Sequence, residues 1–350
     1  MTARKSKPSM QDVAQAAGVS QATVSIVLNS VAGVRVSDQT RVRVIQVAEE
    51  LGYRRSPRLR ADEREGSVIG LIIDDVAASP FAMPLLEGAR EAAWEHKCIV
   101  NVVTTRNHAP IERATIQSML TQPVIGIIYA TLITREVMPP LIGQGVPVAL
   151  LNCYDRDRAF ASIVPDDFAA ARSLTNALLA AGHRRIGHIA GEPWLDAGRE
   201  RLSGYREALE SRGITFDPAL VQNLGSTSGA GQDGTHALLD LANPPTAIFC
   251  FNDRMALGAR EAALDLGLSI PDELSIVGFD NDPFAASLFR GGLTTAVLPH
   301  EEMARWAVQH VLDMRHHRRG GEVMQRKLDC PIIRRKSIAR PKSHEQAKSF

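Results

Sequence analysis

A chain of 350 residues that is 45% apolar can build two or three buried cores, which excludes wholesale disorder. Its four cysteines (Cys98, Cys153, Cys250, Cys330) are spaced for neither a disulfide framework nor a zinc site, and no run approaches the roughly 18 apolar residues of a membrane span. The net charge of +1 hides an asymmetry: residues 1–60 hold ten Lys and Arg against four Asp and Glu, and the remainder thirty against thirty-five. That is the distribution expected when only the N-terminal segment meets a polyanion. No apolar stretch follows the basic start, so no secretory signal is expected and the chain is expected to be cytoplasmic.

Ser9 is placed to cap a short helix, "MQDVAQAAG", with Asp12 at its N-terminal dipole end and Val13, Ala16 and Ala17 as the apolar stripe. Gly18 ends it by taking a left-handed backbone, and Ser20 caps a second helix starting at Gln21. Two short helices joined by so tight a turn form a helix-turn-helix. Ser37 opens a third helix, with Val42, Ile45, Ala48 and Leu51 expected inward and Gly52 at its end. On the second helix Val24, Val27 and Leu28 form the inward stripe, leaving Gln21, Ala22, Ser25, Ile26 and Asn29 outward. That outward face carries no charge. Base edges are read by short polar and apolar groups, an Ile on a thymine methyl or a Gln on adenine, while Arg and Lys elsewhere hold phosphates.

"MQDVAQAAGVSQATVSIVLN" followed by "VSDQTRVRVIQVAEELGY" resembles the DNA-binding domain of the lactose-repressor/galactose-repressor family of bacterial transcription regulators. The resemblance implies that Gln21, Ala22 and Ile26 face bases, and that Ser20, Thr23, Ser25 and Asn29 face phosphate or support the helix. At Ile26 the family most often has Arg, and the loop "SVAGVRV" is about two residues longer than usual. The connector "GYRRSPRLRADEREGS" departs further: Ser56-Pro57 is displaced, and Asp62 stands near where the family's minor-groove Leu would fall. Leu59 is then the available wedge, and a plain charged linker is the alternative.

From Ser67 onward strand runs alternate with amphipathic helices, which argues a parallel α/β architecture. Polar residues gather at the strand ends: Asp74 and Asp75, Asn152, Asn252 and Asp253, and Asp280. "GHRRIGHIAGEPWLDAGRERLSGYREAL", "CFNDRMALGAREA" and "IPDELSIVGFDN" resemble the effector core of the same family, which is related to periplasmic sugar-binding proteins. The resemblance implies that Phe81, Arg201, Asn252 and Asp280 hold a hydroxyl-rich effector, with a core position the alternative for Phe81. From its place before a helix Asp253 is expected to be that helix's N-cap, and Trp194 is expected to be packed in its loop, with stacking on a sugar face the alternative. "GAGQDG", residues 229–234, fits GxGxxG, but no strand runs directly into it, so it is expected to be a flexible loop near the cleft. His183 and His188 lack metal spacing.

The expected organisation is a helix-turn-helix domain over 1–55, a hinge or linker over 56–66, an effector and dimerisation core over 67–340 and a disordered tail over 341–350. Within the core, subdomains are expected over 67–164 with 295–324 and over 165–294 with 325–338. The resemblance implies a homodimeric repressor that reads an inverted-repeat operator in double-stranded DNA, is controlled by a small-molecule effector of carbohydrate type, and needs no cofactor, metal, catalysis or membrane. The rivals are a solute-binding or sugar-handling protein with the same core, which leaves residues 9–53 unexplained, and an architectural DNA binder without effector.

Overall fold

The computed structural model describes residues 9–29, 36–51, 66–76, 82–139, 145–316 and 323–342. The chain divides into two compact units, Met1–Glu63 and Arg64–Phe350. Phe81, Leu59, the hinge pattern around Pro57, the "SVAGVRV" loop up to Arg35 and nearly all of the tail lie outside the described residues. Among the described residues no helix is long and apolar enough to cross a membrane.

The N-terminal unit holds α1 (Met10–Ala17), α2 (Gln21–Asn29) and α3 (Asp38–Glu50). Ser9 and Asp12 form a reciprocal capping box, each side chain taking the other's backbone N–H. Gly18 closes α1 at φ 62°, and its N–H bonds back to the last turn. The α1 face differs from expectation in one place, since Val13, Ala14 and Ala17 are buried and Ala16 is exposed. The α3 face differs more. Val44 and Ala48 are buried with Val47 beside them, whereas Val42 is 62% exposed and Ile45 and Leu51 also face out. Two apolar stripes run along α3, and its packing on α1 and α2 selects the one through Val44.

The body runs in chain order through β1 (Ser67–Ile73), α4 (Ala82–Glu95), β2 (Cys98–Thr104), α5 (Ala109–Thr121), β3 (Val124–Val137), β4 (Val148–Asp155) and β5 (Ala161–Pro165). A second lobe follows: α6 (Asp167–Ala180), β6 (Ile186–Ala190), α7 (Asp196–Glu210), β7 (Val221–Asn223), α8 (Ser228–Leu239), β8 (Ala247–Cys250), α9 (Asp253–Asp265), β9 (Ser275–Asp280), α10 (Pro283–Ser287) and β10 (Thr294–Val297). The chain returns through α11 (His300–His316) and β11 (Gln325–Leu328), then ends with β12 (Ile332–Ile333).

Two sheets result, in the orders β11-β5-β4-β3-β1-β2 and β12-β10-β9-β8-β6-β7. Their pairings are parallel except β10 with β12. The central strands are buried on both faces and read as continuous apolar runs, as a sheet covered by helices on each side requires. In the first lobe α4 and α11 cover one face through Leu85, Ala89, Met303 and Ala307. In the second, α6 and α7 cover one face and α8 and α9 the other. The sheets are joined by crossings at residues 165–167, 297–300 and 328–332. The later two lie away from their expected places: β10 belongs to the second sheet, so that crossing follows residue 297, and β11 is an edge strand of the first.

The glycines at 229–234 are not a flexible loop. They lie in α8, which Thr227 caps through its hydroxyl. A Cβ on Gly231 would strike the Met255 backbone, and one on Gly258 would strike the Ser228 carbonyl. Here glycine serves the close approach of α8 and α9 rather than a dinucleotide.

Candidate functional site

Two places gather the polar groups singled out above: the outward face of α2, and the carboxyl ends of the strands in the body. On α2, the Ser20 hydroxyl accepts the Thr23 N–H at 3.1 Å and bonds the Thr23 hydroxyl at 2.9 Å. Both side chains are therefore engaged in starting the helix. Gln21 and Ala22 are exposed, Val24 and Val27 are buried, and Ser25 and Ile26 are half-buried. Ile26 is thus less free than the helical wheel suggests, because part of its side chain shares the packed side of α2. The Asn29 side chain lies outside the described residues.

In the second lobe Arg201 projects from α7 and is only 3% exposed. Its Nε donates to Asp167 Oδ1 at 2.8 Å and its Nη1 to the Phe251 carbonyl at 2.5 Å, while Asp280 Oδ1 stands 3.8 Å from Nη1. The guanidinium also lies over the rings of Phe279 (3.5 Å to the centroid) and Phe251 (4.5 Å). This is a desolvated cation clamped by one close carboxylate, one looser carboxylate and two π faces.

Two carboxyls, Asp167 and Asp280, lie against this cation, and Asp253 stands beyond them, close enough to act on Asp280. Burial pushes Asp280 well above the ordinary carboxylate range, Arg201 pulls it back, and Asp253, Asp167 and Asp282 push it up again. Asp167 is raised by burial and restrained chiefly by Arg201. Asp253 is pushed up to about 7 by burial, against its bonds from the Thr295 hydroxyl and the Asp282 N–H. Asn281 holds φ 55°, in the left-handed region that Asn adopts more readily than most side chains, whereas Asp280 at φ 104° lies beyond that region and is strained.

Three expected roles change. Asn252, not Asp253, caps α9: its Oδ1 accepts the Met255 N–H at 2.8 Å, and its Nδ2 donates to the Ser226 carbonyl at 3.1 Å. A side chain so engaged has one N–H left for a ligand. Asp253 is the first residue of α9 and bridges to β10 through Thr295 at 2.7 Å. Trp194 is 70% exposed on the loop before α7, not packed. The histidines are internal ties: His183 bonds Thr246, Ser275 and the Ala339 carbonyl, and His188 bonds the Phe249 carbonyl between the rings of Tyr205 and Phe249.

The first lobe offers a matching polar edge. Asp74, at the end of β1, accepts the N–H groups of Leu132 and Asp75 and pairs with Arg135 at 3.2 Å. Burial raises its carboxyl, and those bonds oppose the rise. Asn152 holds φ 58° within β4, where its Nδ2 donates to the Thr131 carbonyl and its Oδ1 accepts the Thr134 hydroxyl at 2.6 Å. A register shift in β3 between Ala130 and Arg135 brings Arg135 to this edge.

Arg135, Thr131 and Asp167 carry these networks and were not singled out from the sequence. Only Asp167 left a signal: a second Asp at a strand end, which a buried Arg requires as its counter-charge.

The family model described as bacterial regulatory proteins, lacI family, matches residues 9–56, and the periplasmic binding protein-like domain matches residues 175–338. The chain is 33% identical to the transcriptional repressor CytR of Escherichia coli K12 over 336 residues, which is 94% of this chain and 95% of CytR. It is 32% identical over 341 residues to the sucrose operon repressor of Escherichia coli, covering 93% and 98% of the two chains. The solved structure of a transcriptional regulator CelR–cellobiose complex superposes with a TM-score of 0.65 at 28% identity, covering 94% of this chain and 99% of that one.

Proposed function

The chain belongs to the lacI family of bacterial regulatory proteins, and from that premise we propose that it is a cytoplasmic, homodimeric, non-enzymatic repressor. It reads an inverted-repeat operator in double-stranded DNA and is governed by a neutral carbohydrate or carbohydrate-bearing effector. The observation that carries the reading is the outward face of α2. Gln21 and Ala22 are exposed beside half-buried Ser25 and Ile26, with no charged residue on the helix, while Val24 and Val27 seal its inner side. Such a face suits base edges. Ser20 and Thr23 set the start of the helix, and Asn29 and, from the connector, Leu59 complete the DNA-facing set.

The effector site is assigned to Arg201 and Asp280 with Asp167, to Asp74 and Asn152 on the facing lobe, to Phe81, and to Trp194 as an exposed ring. Asn252 contributes from its capping position. Two buried carboxyls on one guanidinium, with Asp253 acting on Asp280 behind them, disfavour an anionic ligand and favour one rich in hydroxyl donors. That chemistry is compatible with the sugars named for the relatives: the cellobiose of the CelR complex and the sucrose operon.

The deciding experiment is selection of genomic fragments on the purified protein, followed by titration of a retained fragment at several salt concentrations. The expected result is a two-fold symmetric site bound with a steep inverse salt dependence, and a change in affinity with one neutral carbohydrate of a panel. Binding that is flat in salt and blind to sequence would remove the reading.

A further inference from the structure

Helix α7 carries more than Arg201. One turn apart on a neighbouring face, Asp196 and Glu200 each bond a residue of the first lobe. The Tyr154 hydroxyl, at the end of β4, donates to Asp196 Oδ2 at 2.8 Å, and Lys327 Nζ, on β11, donates to Glu200 Oε2 at 2.8 Å. In the first sheet β5 lies between β11 and β4. Their axes are therefore about 10 Å apart, a span that side chains one helical turn apart, at about 6 Å, can bridge by reaching outward. The Tyr154 ring is also fixed from its own lobe, with the Arg158 guanidinium 4.8 Å from its centroid. Asp196 is held from within α7 by Arg199. These residues line a groove of about 620 Å³ between the lobes, which Asp167 also lines.

We propose that Tyr154–Asp196 and Lys327–Glu200 form a clasp that positions α7 against the first sheet and so holds the two lobes in one arrangement before any ligand binds. Each bond joins a residue of the first sheet to a helix of the second lobe. A rotation about the three crossings that moves α7 by an ångström or two breaks both, since hydrogen bonds weaken steeply beyond their normal length. Arg201 rides on the same helix, so a ligand that draws on Arg201 works with or against this clasp; that consequence, unlike the clasp itself, rests on the effector reading above. Tyr154 carries the larger share, because Lys327 and Glu200 are both about half exposed and screened by solvent.

The test needs neither ligand nor DNA. Ser118→Cys on α5 and Ser211→Cys just after α7 take spin labels at exposed positions, while the four native cysteines are buried. Labelled protein is diluted into unlabelled protein, and the interlobe distance is measured by pulsed electron resonance. The otherwise native chain should give one dominant distance. Tyr154→Phe keeps the ring and deletes the bond, so a second distance should rise about three-fold to ten-fold. Glu200→Lys should raise it about two-fold at low salt, and adding Lys327→Glu should restore the native distribution. An unchanged distribution in Tyr154→Phe overturns the proposal, as does a double swap no better than Glu200→Lys alone. Failure of the effector reading would leave these distances untouched.

Discussion

Arg201 and Asp167 meet at 2.8 Å with both side chains about 4% exposed, joining the middle of α7 to the first residue of α6, where the chain has just crossed from the first lobe. The pair is therefore part of the second lobe's own structure as well as a candidate ligand group. Arg201→Ala leaves Asp167 buried without its cation and should lower stability by about 3–5 kcal/mol. Denaturant titration of the variant checks this, and Arg201→Met with Asp167→Leu should recover part of the loss. A single variant as stable as the native chain would show that the pair contributes little to the fold.

Asp280 separates the ligand role from the structural one. Asp280 stands 3.8 Å from Arg201, which keeps its closer bonds to Asp167 and the Phe251 carbonyl, so the isosteric Asp280→Asn should leave the thermal midpoint within about 2 °C, as a change of under about 1 kcal/mol implies in a chain of this size. If Asp280 bonds the effector, the same variant should shift the effective carbohydrate concentration about ten-fold in operator titrations. A lowered midpoint with an unaltered response would make Asp280 structural.

Asp253 gives the protein a pH dependence whose sign follows from its raised carboxyl. Its folded value is about 7 against 3.8 for a free carboxyl. Between those values the folded chain keeps a proton that the unfolded chain has released, so stability falls as pH rises through that window and levels off above about pH 7. Asp253→Asn can donate to the Thr295 hydroxyl and accept the Asp282 N–H, reproducing the protonated form. Melting curves from pH 5 to 7.5 should decline for the native chain and be flatter for the variant. Parallel declines would place the titration elsewhere.

How far the sequence could be read depended on how local each signal was. The Ser9 cap, the Gly18 stop and the Ser20 cap are set by residues within four positions of one another, and all three are present, while the return bond from the Ser9 N–H to Asp12 was not foreseen. The strand–helix alternation was equally legible, because strands buried on both faces are unbroken apolar runs. On α3 the rule was satisfied twice, by Val44 with Ala48 and by Val42 with Ile45, so periodicity alone could not choose the buried stripe. Arg201 was legible by resemblance, but its counter-charge lies 34 residues away on another helix, and no local pattern links them. Arg135 reaches Asp74 only through a register shift in β3, which depends on strand pairing. The glycines of α8 were misread because their partner surface is α9, outside any window around the motif.

The half-buried position of Ile26 gives a prediction with two separable parts. Its outward atoms, if they meet a thymine methyl, should make Ile26→Ala relax discrimination by about 1 kcal/mol or more at one base pair per half-site. Its inward atoms should add a stability loss of about 1 kcal/mol in the N-terminal unit. Operator variants titrated one base pair at a time, with the melting of the isolated unit followed in parallel, distinguish the parts. Affinity lost evenly across all sequences would assign Ile26 to packing alone.

Asn252 is the residue on which resemblance and geometry disagree most. Its Oδ1 is engaged in capping α9 and its Nδ2 in reaching Ser226, so the geometry makes it first a cap. Serine caps a helix about as well as asparagine but is too short to reach that carbonyl, whereas alanine does neither. Asn252→Ala should therefore cost about 1–2 kcal/mol, and Asn252→Ser should recover most of it. The carbohydrate response supplies the second axis. For a residue that only caps, Asn252→Ser should respond at the native concentration; for one that also holds ligand through its remaining N–H, it should respond only at about ten-fold more while melting almost as the native chain does. The second outcome is expected, because the Asn252 amide keeps one N–H that neither the cap nor the Ser226 bond uses, and the cap holds that N–H in place.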